Sequence, residues 1–165
     1  MFTRAFFTTL LVGFLAIGCA SKKPNNNQDG ANGANGANNG LTLELNGDSD
    51  SNSAGGLQTV YFDFNSSSLT AATKTAMKAN AEFLKTNASV DVQVEGHCDE
   101  RGGRQYNLAL GERRAKAVRD YLVALGVAAK RITTISYGNE RPVAEGHDES
   151  AWSKNRRGNF VITAK

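Results

Sequence analysis

The sequence predicts an α+β fold, a two-layer sandwich with the element order β-α-β-α-β-(short α)-β and its helices on one face of a sheet. Three observations lead there. Val90, Val92 and Val94 alternate with Asp91, Gln93 and Glu95, which is the period of a half-buried strand. Leu108, Gly111, Ala115, Val118, Leu122 and Leu125 step by three and four residues, so one face of a long helix is apolar. β-forming segments stand on either side of such helices, and strands separated by helices on one face close into two layers.

The elements follow in order. Thr59, Val60, Tyr61, Phe62 and Phe64 are β-formers, and Asn65 to Ser68 read as a turn and helix cap ahead of Leu69. From Ala71 to Lys85 the recurrence of Leu69, Thr73, Ala76, Asn80 and Phe83, widened by Met77 and Leu84, predicts a helix. Gly96 ends the valine strand. Gly111 inside the second helix marks close packing, and Gly126 supplies its stop. A third strand is expected over 131–137, a polar loop over 138–149, a helical turn over 150–155 and a last strand over 159–163.

Length and composition bound the function. A chain of 165 residues with 40% hydrophobic side chains holds one ordinary domain, which excludes a large two-domain enzyme. The net charge of +3 is spread along the chain without a basic tail, so nothing demands nucleic acid as a partner. Cys19 and Cys98 lie in unlike surroundings, and a disulfide scaffold is not expected.

The amino end is a separate matter. Arg4 precedes a short apolar stretch from Ala5 to Ile17, too short for a comfortable membrane span, and Leu15-Ala16-Ile17-Gly18-Cys19 follows. This resembles a bacterial lipoprotein signal, with residues 1–18 removed and Cys19 acylated as the first mature residue. Ala16 stands where leucine is usual. Ala20 after the cysteine points to the outer membrane in the sorting rule of many Gram-negative bacteria. Pro24 to Gly40 contain seven Asn, four Gly and three Ala, a composition with almost nothing to bury. Residues 19–56 are therefore expected to be the acylated cysteine plus a disordered tether, reaching roughly 30 to 35 Å as a flexible coil. The globular domain is expected over 57–165.

The chemistry gathers after the valine strand, in Glu95-Gly96-His97-Cys98-Asp99-Glu100-Arg101, followed by Asn107 and Arg114. Asn107 and Arg114 are seven apart and share a helix face beside the apolar stripe. A strand-end carboxylate opposite a guanidinium suits an amino-acid zwitterion: Arg114 for its carboxylate, Asp99 for its ammonium, and Asn107 for a nearby amide. The alternative is a structural salt bridge between Asp99 and Arg114. Both readings stay open on pattern alone.

YFDFNS at 61–66, EGHCDERGGRQYNLALGERRAKAV at 95–118 and SYGNERPVAEGHDESAWSKNRR at 136–157, with the leader, resemble the peptidoglycan-associated lipoproteins of Gram-negative bacteria, whose domain type is named after the C-terminal domain of OmpA. The resemblance implies a mixed four-stranded sheet and noncovalent binding of the peptidoglycan peptide stem, with meso-diaminopimelate seated between Asp99 and Arg114. It places Phe62, Asp63, Glu100, Asn107 and Leu110 at the same pocket. It implies as partners the outer membrane through Cys19, the periplasmic β-propeller protein of the Tol system, and other OmpA-like or Tol components. It implies a role in envelope integrity and constriction at division. Gly103-Arg104 departs from a family in which Thr often opens the helix after the glycine, and gives up a hydroxyl cap worth up to about 1 kcal/mol.

Other polar residues are read as support. His97 is expected to bond loop backbone, His147 the 138–149 loop, and Asn155, Arg156 and Arg157 to sit before the last strand. Arg156 or Arg157 is expected to pair with Asp63 or with the strand-end loop. Cys98 reads as small filling, or as a redox-sensitive or ligand-contacting thiol, and Trp152 as an anchor for its helical turn or a partner-facing aromatic. His97, His147, Cys98, Asp99 and Glu100 lack ligand spacing, so no metal or cofactor is expected. Ser153 and His147 have no third member, and no phosphate loop or nucleophile elbow occurs. The expected function is binding rather than catalysis, with a scaffolding lipoprotein and a peptidoglycan-processing enzyme as alternatives.

Overall fold

In a computed structural model, described over residues 43–165, strands β1 (Val60–Tyr61), β2 (Asp91–His97), β3 (Ile132–Gly138) and β4 (Arg157–Ala164) form one mixed sheet in the order β1-β4-β2-β3. The leader, Cys19 and the tether up to residue 42 lie outside the described residues. β4 runs antiparallel to both β1 and β2, whereas β2 and β3 are parallel, as the intervening helix α2 (Arg104–Ala124) requires. Helix α1 (Ala71–Thr86) joins β1 to β2, and α3 (Glu149–Asn155) precedes β4. A single 3₁₀ turn, Ala129–Arg131, leads into β3.

The core lies between sheet and helices. Val92 and Val94 of β2 stand beside Ile162 and Phe160 of β4, and Met77, Leu84, Val118 and Leu122 join them in one buried cluster. Polar residues in the α1 stripe are there because β1 and its lead-in use them. The Asn80 amide donates to the Gln58 carbonyl and accepts from its N–H, both at 2.8 Å, and the Thr73 hydroxyl donates to the Tyr61 carbonyl at 2.7 Å. Thr70 caps the helix by accepting from the Thr73 N–H.

One close approach fixes where α2 crosses the sheet. A Cβ on Gly96 would stand 1.9 Å from the Gly111 carbonyl oxygen, and one on Gly111 would stand 2.7 Å from the Gly96 oxygen. Both positions therefore need glycine, and the contact holds the first turns of α2 over the end of β2. Gly103 caps α2 without any side-chain hydrogen bond, as its missing hydroxyl predicts.

Two expectations are corrected. β1 spans only Val60–Tyr61, because past Phe62, whose N–H donates to the Arg156 carbonyl, the chain turns through Asn65 at φ +53°. The folded unit also includes residues 43–56, which composition assigned to the tether. Asn46 and Ser49 donate their N–H groups to the Ile162 and Phe160 carbonyls at 2.9 Å, and the Gly47 carbonyl accepts from Ile162. This segment takes the edge of β4 that the short β1 leaves unpaired. Ser49 and Ala54 are buried, and Leu43 packs on the core. Low hydrophobicity misleads here because the segment is held by backbone pairing.

Candidate functional site

The site is built at the carboxyl end of β2, where the chain leaves the sheet and turns back into α2. Asp99 is buried in that loop, and its carboxylate is surrounded by donors. Oδ1 accepts from the Arg101 backbone N–H at 3.1 Å and from Arg101 Nε at 3.2 Å. Oδ2 accepts from Arg101 Nη2 at 2.6 Å and from Arg156 Nη1 at 3.2 Å. Burial alone raises the Asp99 pKa, but these bonds from Arg101 and Arg156 outweigh it and hold the carboxyl below the usual range.

Arg114 comes from α2 and has no exposed surface. Its guanidinium gathers three stretches of backbone: Nε donates to the Ser66 carbonyl at 2.8 Å, Nη1 to His97 at 2.7 Å, and Nη2 to Asp63 at 2.9 Å. Nη1 also lies 3.5 Å from Cys98 Sγ, and the Phe62 ring centroid is 5.0 Å from Cζ. Burial pulls the guanidinium pKa down. Arg114 forms no ion pair among the described residues, so the direct salt bridge with Asp99 that pattern left open is absent. The carboxylate grip expected of Arg114 from the residue pattern has few free hydrogens to draw on, because carbonyls take three of the five N–H groups.

Between these groups lies a cavity of about 160 Å³, lined by Asp99, Asn107, Leu110, Arg114 and Arg156 among others. Cavities of roughly this volume enclose a benzene-sized group. Asn107 Nδ2 donates to the Arg101 carbonyl at 3.0 Å and fixes the loop. Three guanidiniums face one carboxylate, which favours a ligand that carries carboxylate as well as ammonium.

Other expected residues fall around this cavity. Phe62 and Asp63 line a neighbouring groove of about 470 Å³, which shares Arg156 with the cavity, while the Asp63 carbonyl holds Arg114. Glu100 is exposed and points elsewhere. It accepts from Trp152 Nε1 at 2.8 Å and meets His147 Nδ1 at 2.8 Å; these bonds lower its pKa and raise that of His147. His147 thus pairs with Glu100 rather than with its own loop.

Arg156 meets the strand-end loop at Asp99 and donates to the Phe62 carbonyl at 3.0 Å. Arg157 pairs instead with Asp50 of the amino-terminal segment at 2.6 Å, a partner that the sequence placed in the tether. Asn155 clamps the 143–144 backbone. His97 is buried, and only its carbonyl meets the site. Its Nε2 lies 3.4 Å from Glu95 Oε2 and Nδ1 has no partner among the described residues, in place of the expected backbone bond. Burial lowers its pKa, against the pull of Glu95. The Cys98 thiol, whose pKa burial raises, lines the same cavity and donates to the Asn107 carbonyl at 3.4 Å.

Sequence reading gave no role to Arg101, Phe64 or Tyr106, which also line the cavity. A signal existed for Arg101, since a cation two residues after a strand-end Asp can fold back on it. Among the described residues no group of three or more His, Cys, Asp or Glu could hold a metal ion.

Residues 61–156 match the OmpA family model. The chain is 49% identical over 157 residues to the peptidoglycan-associated lipoprotein of Mesorhizobium japonicum, covering 94% of this chain and 90% of that protein. It is 44% identical to that of Pseudomonas aeruginosa, covering 92% of each. Among solved structures, the peptidoglycan-associated lipoprotein from Burkholderia pseudomallei superposes with a TM-score of 0.61 at 43% identity, over 63% of this chain and 88% of that one. The C-terminal domain of Helicobacter pylori MotB shares the fold, with a TM-score of 0.62 at 20% identity over 67% of this chain and 87% of that one.

Proposed function

The chain belongs to the OmpA family and, within it, to the peptidoglycan-associated lipoproteins, and from that premise we propose that it binds the diaminopimelate-containing peptide stem of peptidoglycan without covalent chemistry. The observation that carries this reading is the small cavity between Asp99 and Arg114, two buried and opposite charges that do not pair with each other. A zwitterionic side-chain terminus suits the space. Its ammonium would meet Asp99, and its carboxylate the arginines, with Leu110 against its methylenes.

The lipoprotein signal supports acylation at Cys19 and a place on the periplasmic face of the outer membrane. Lipid at one end and a wall-binding domain at the other would join membrane and wall through many weak links that break and reform, with rebinding favoured by tethering. Such links would support envelope integrity and constriction at division. The resemblance also supports the β-propeller protein of the Tol system as a partner. Tyr61, Phe64 and Tyr106, half exposed along the groove and cavity, offer an apolar surface for it.

Calorimetry with a diaminopimelate muropeptide and with the same peptide amidated at its free side-chain carboxylate tests the proposal. The protein should bind the first and lose much of its affinity for the second. Equal affinity for both, or release of a cleaved product, would overturn it.

A further inference from the structure

Asp99 is already occupied. An ionised carboxylate offers about four lone-pair sites, and here Arg101 takes three of them and Arg156 the fourth. An incoming ammonium finds no acceptor until a donor leaves. Arg156 is a poor candidate, being 7% exposed and tied to the Phe62 carbonyl and to Glu149. The Arg101 side chain is 31% exposed, and apart from Asp99 it is held by ring faces: its Cζ lies 3.9 Å from the Phe64 centroid and 4.0 Å from that of Trp152. Glu149 Oε2, on an exposed side chain only 3.8 Å from Nη2, offers the guanidinium a second acceptor.

Resting on the proposed function, we infer that Arg101 is the specificity gate of this pocket: its guanidinium occupies the place of the ligand ammonium on Asp99 and swings toward Glu149 when a primary ammonium replaces it. The exchange is one cation for another, so the positive charge facing the buried Asp99 is kept while Arg156 and the Arg101 backbone N–H stay in place. A neutral amide cannot make the exchange, because it brings dipoles where a charge is removed. The gate therefore selects for a free amine at the end of the side chain and lowers the apparent affinity by the fraction of molecules that are open. The Arg101 backbone N–H stays on Oδ1 throughout and keeps the loop in place.

The test pairs two proteins with two peptides. Wild type and Arg101→Ala are titrated with a diaminopimelate tripeptide and with the same peptide acetylated on its side-chain amine. The variant should bind the free amine roughly three- to tenfold more tightly than wild type, and should gain at least as much for the acetylated peptide, so that discrimination between the two falls. In wild type, the Arg101 Nε–H resonance should shift on saturation with the free amine alone, a readout that does not depend on the variant folding. Equal or weaker binding of the free amine by a folded Arg101→Ala, or an unmoved Nε–H in the saturated wild type, would overturn the gate while leaving the pocket standing. Wild type that binds neither peptide would overturn the pocket itself, and the gate with it.

Discussion

Under the helices, β2 and β4 bury Val92, Val94, Phe160 and Ile162 against Met77, Leu84, Val118 and Leu122; beyond the carboxyl end of β2, the same molecule buries Asp99, Arg114 and Arg156. In the first region stabilisation scales with apolar area and has no direction. In the second, every buried charge is tolerated only because named partners stand at hydrogen-bond distance. The join between them is the Gly96–Gly111 contact, which brings α2 close enough for Arg114 to reach three carbonyls. The regions should therefore fail differently: loss of core volume lowers stability, whereas loss of a pocket partner changes recognition and pH response.

The largest effect is expected in the core. Phe160→Ala should cost about 3–5 kcal/mol in urea unfolding, and whatever remains folded should bind wall peptide normally. Asp99→Ala should cost roughly 2–5 kcal/mol of muropeptide affinity by calorimetry, because the ligand ammonium is then buried without a carboxylate to meet it. Arg114→Lys keeps the charge but not the fork. An ammonium cannot serve the Asp63, Ser66 and His97 carbonyls together, and each one left bare costs about 1–3 kcal/mol, readable as a lower urea midpoint.

Acidity separates the regions more finely. The buried His97 has a lowered pKa, so the unfolded chain takes up its proton first and stability should begin to fall as pH drops below about 6.5. The lowered pKa of Asp99 has the same sign in a lower window: its stabilisation is complete above roughly pH 4 and is lost as pH falls further, through its folded value. Thermal melts of His97→Phe should flatten the upper slope and keep the lower one, and Asp99→Asn should weaken the lower slope, which Glu95 shares, and keep the upper one. The smallest effect belongs to Gly103, where an added Cβ meets nothing within 4 Å. Gly103→Thr should restore the α2 cap and raise stability by a few tenths of a kcal/mol in thermal melts.

The core was legible in the sequence because periodicity is local: the alternation at Val90–Val94 and the stripe from Leu108 to Leu125 each lie within one element. The pocket was legible in its residue types and in the meeting of Arg156 with the strand-end loop, but not in its other partnerships. The carbonyls that Arg114 holds at Asp63 and Ser66 join positions far apart in the chain, and no spacing rule reports them. Residues 43–56 were misread for a related reason. Their Asn, Ser and Asp side chains look like linker, yet they pair with the edge of β4, which only the fold reveals as open. Arg101 was the nearest miss, since its partner is two residues away.

The most direct test is a chemical-shift map of the protein titrated with a diaminopimelate tripeptide. The account predicts that the largest changes fall on Asp99, Arg101, Leu110 and Arg114, with the sheet residues Gln93 and Thr133 unmoved. Saturable binding that leaves those four unperturbed and shifts another surface would contradict it.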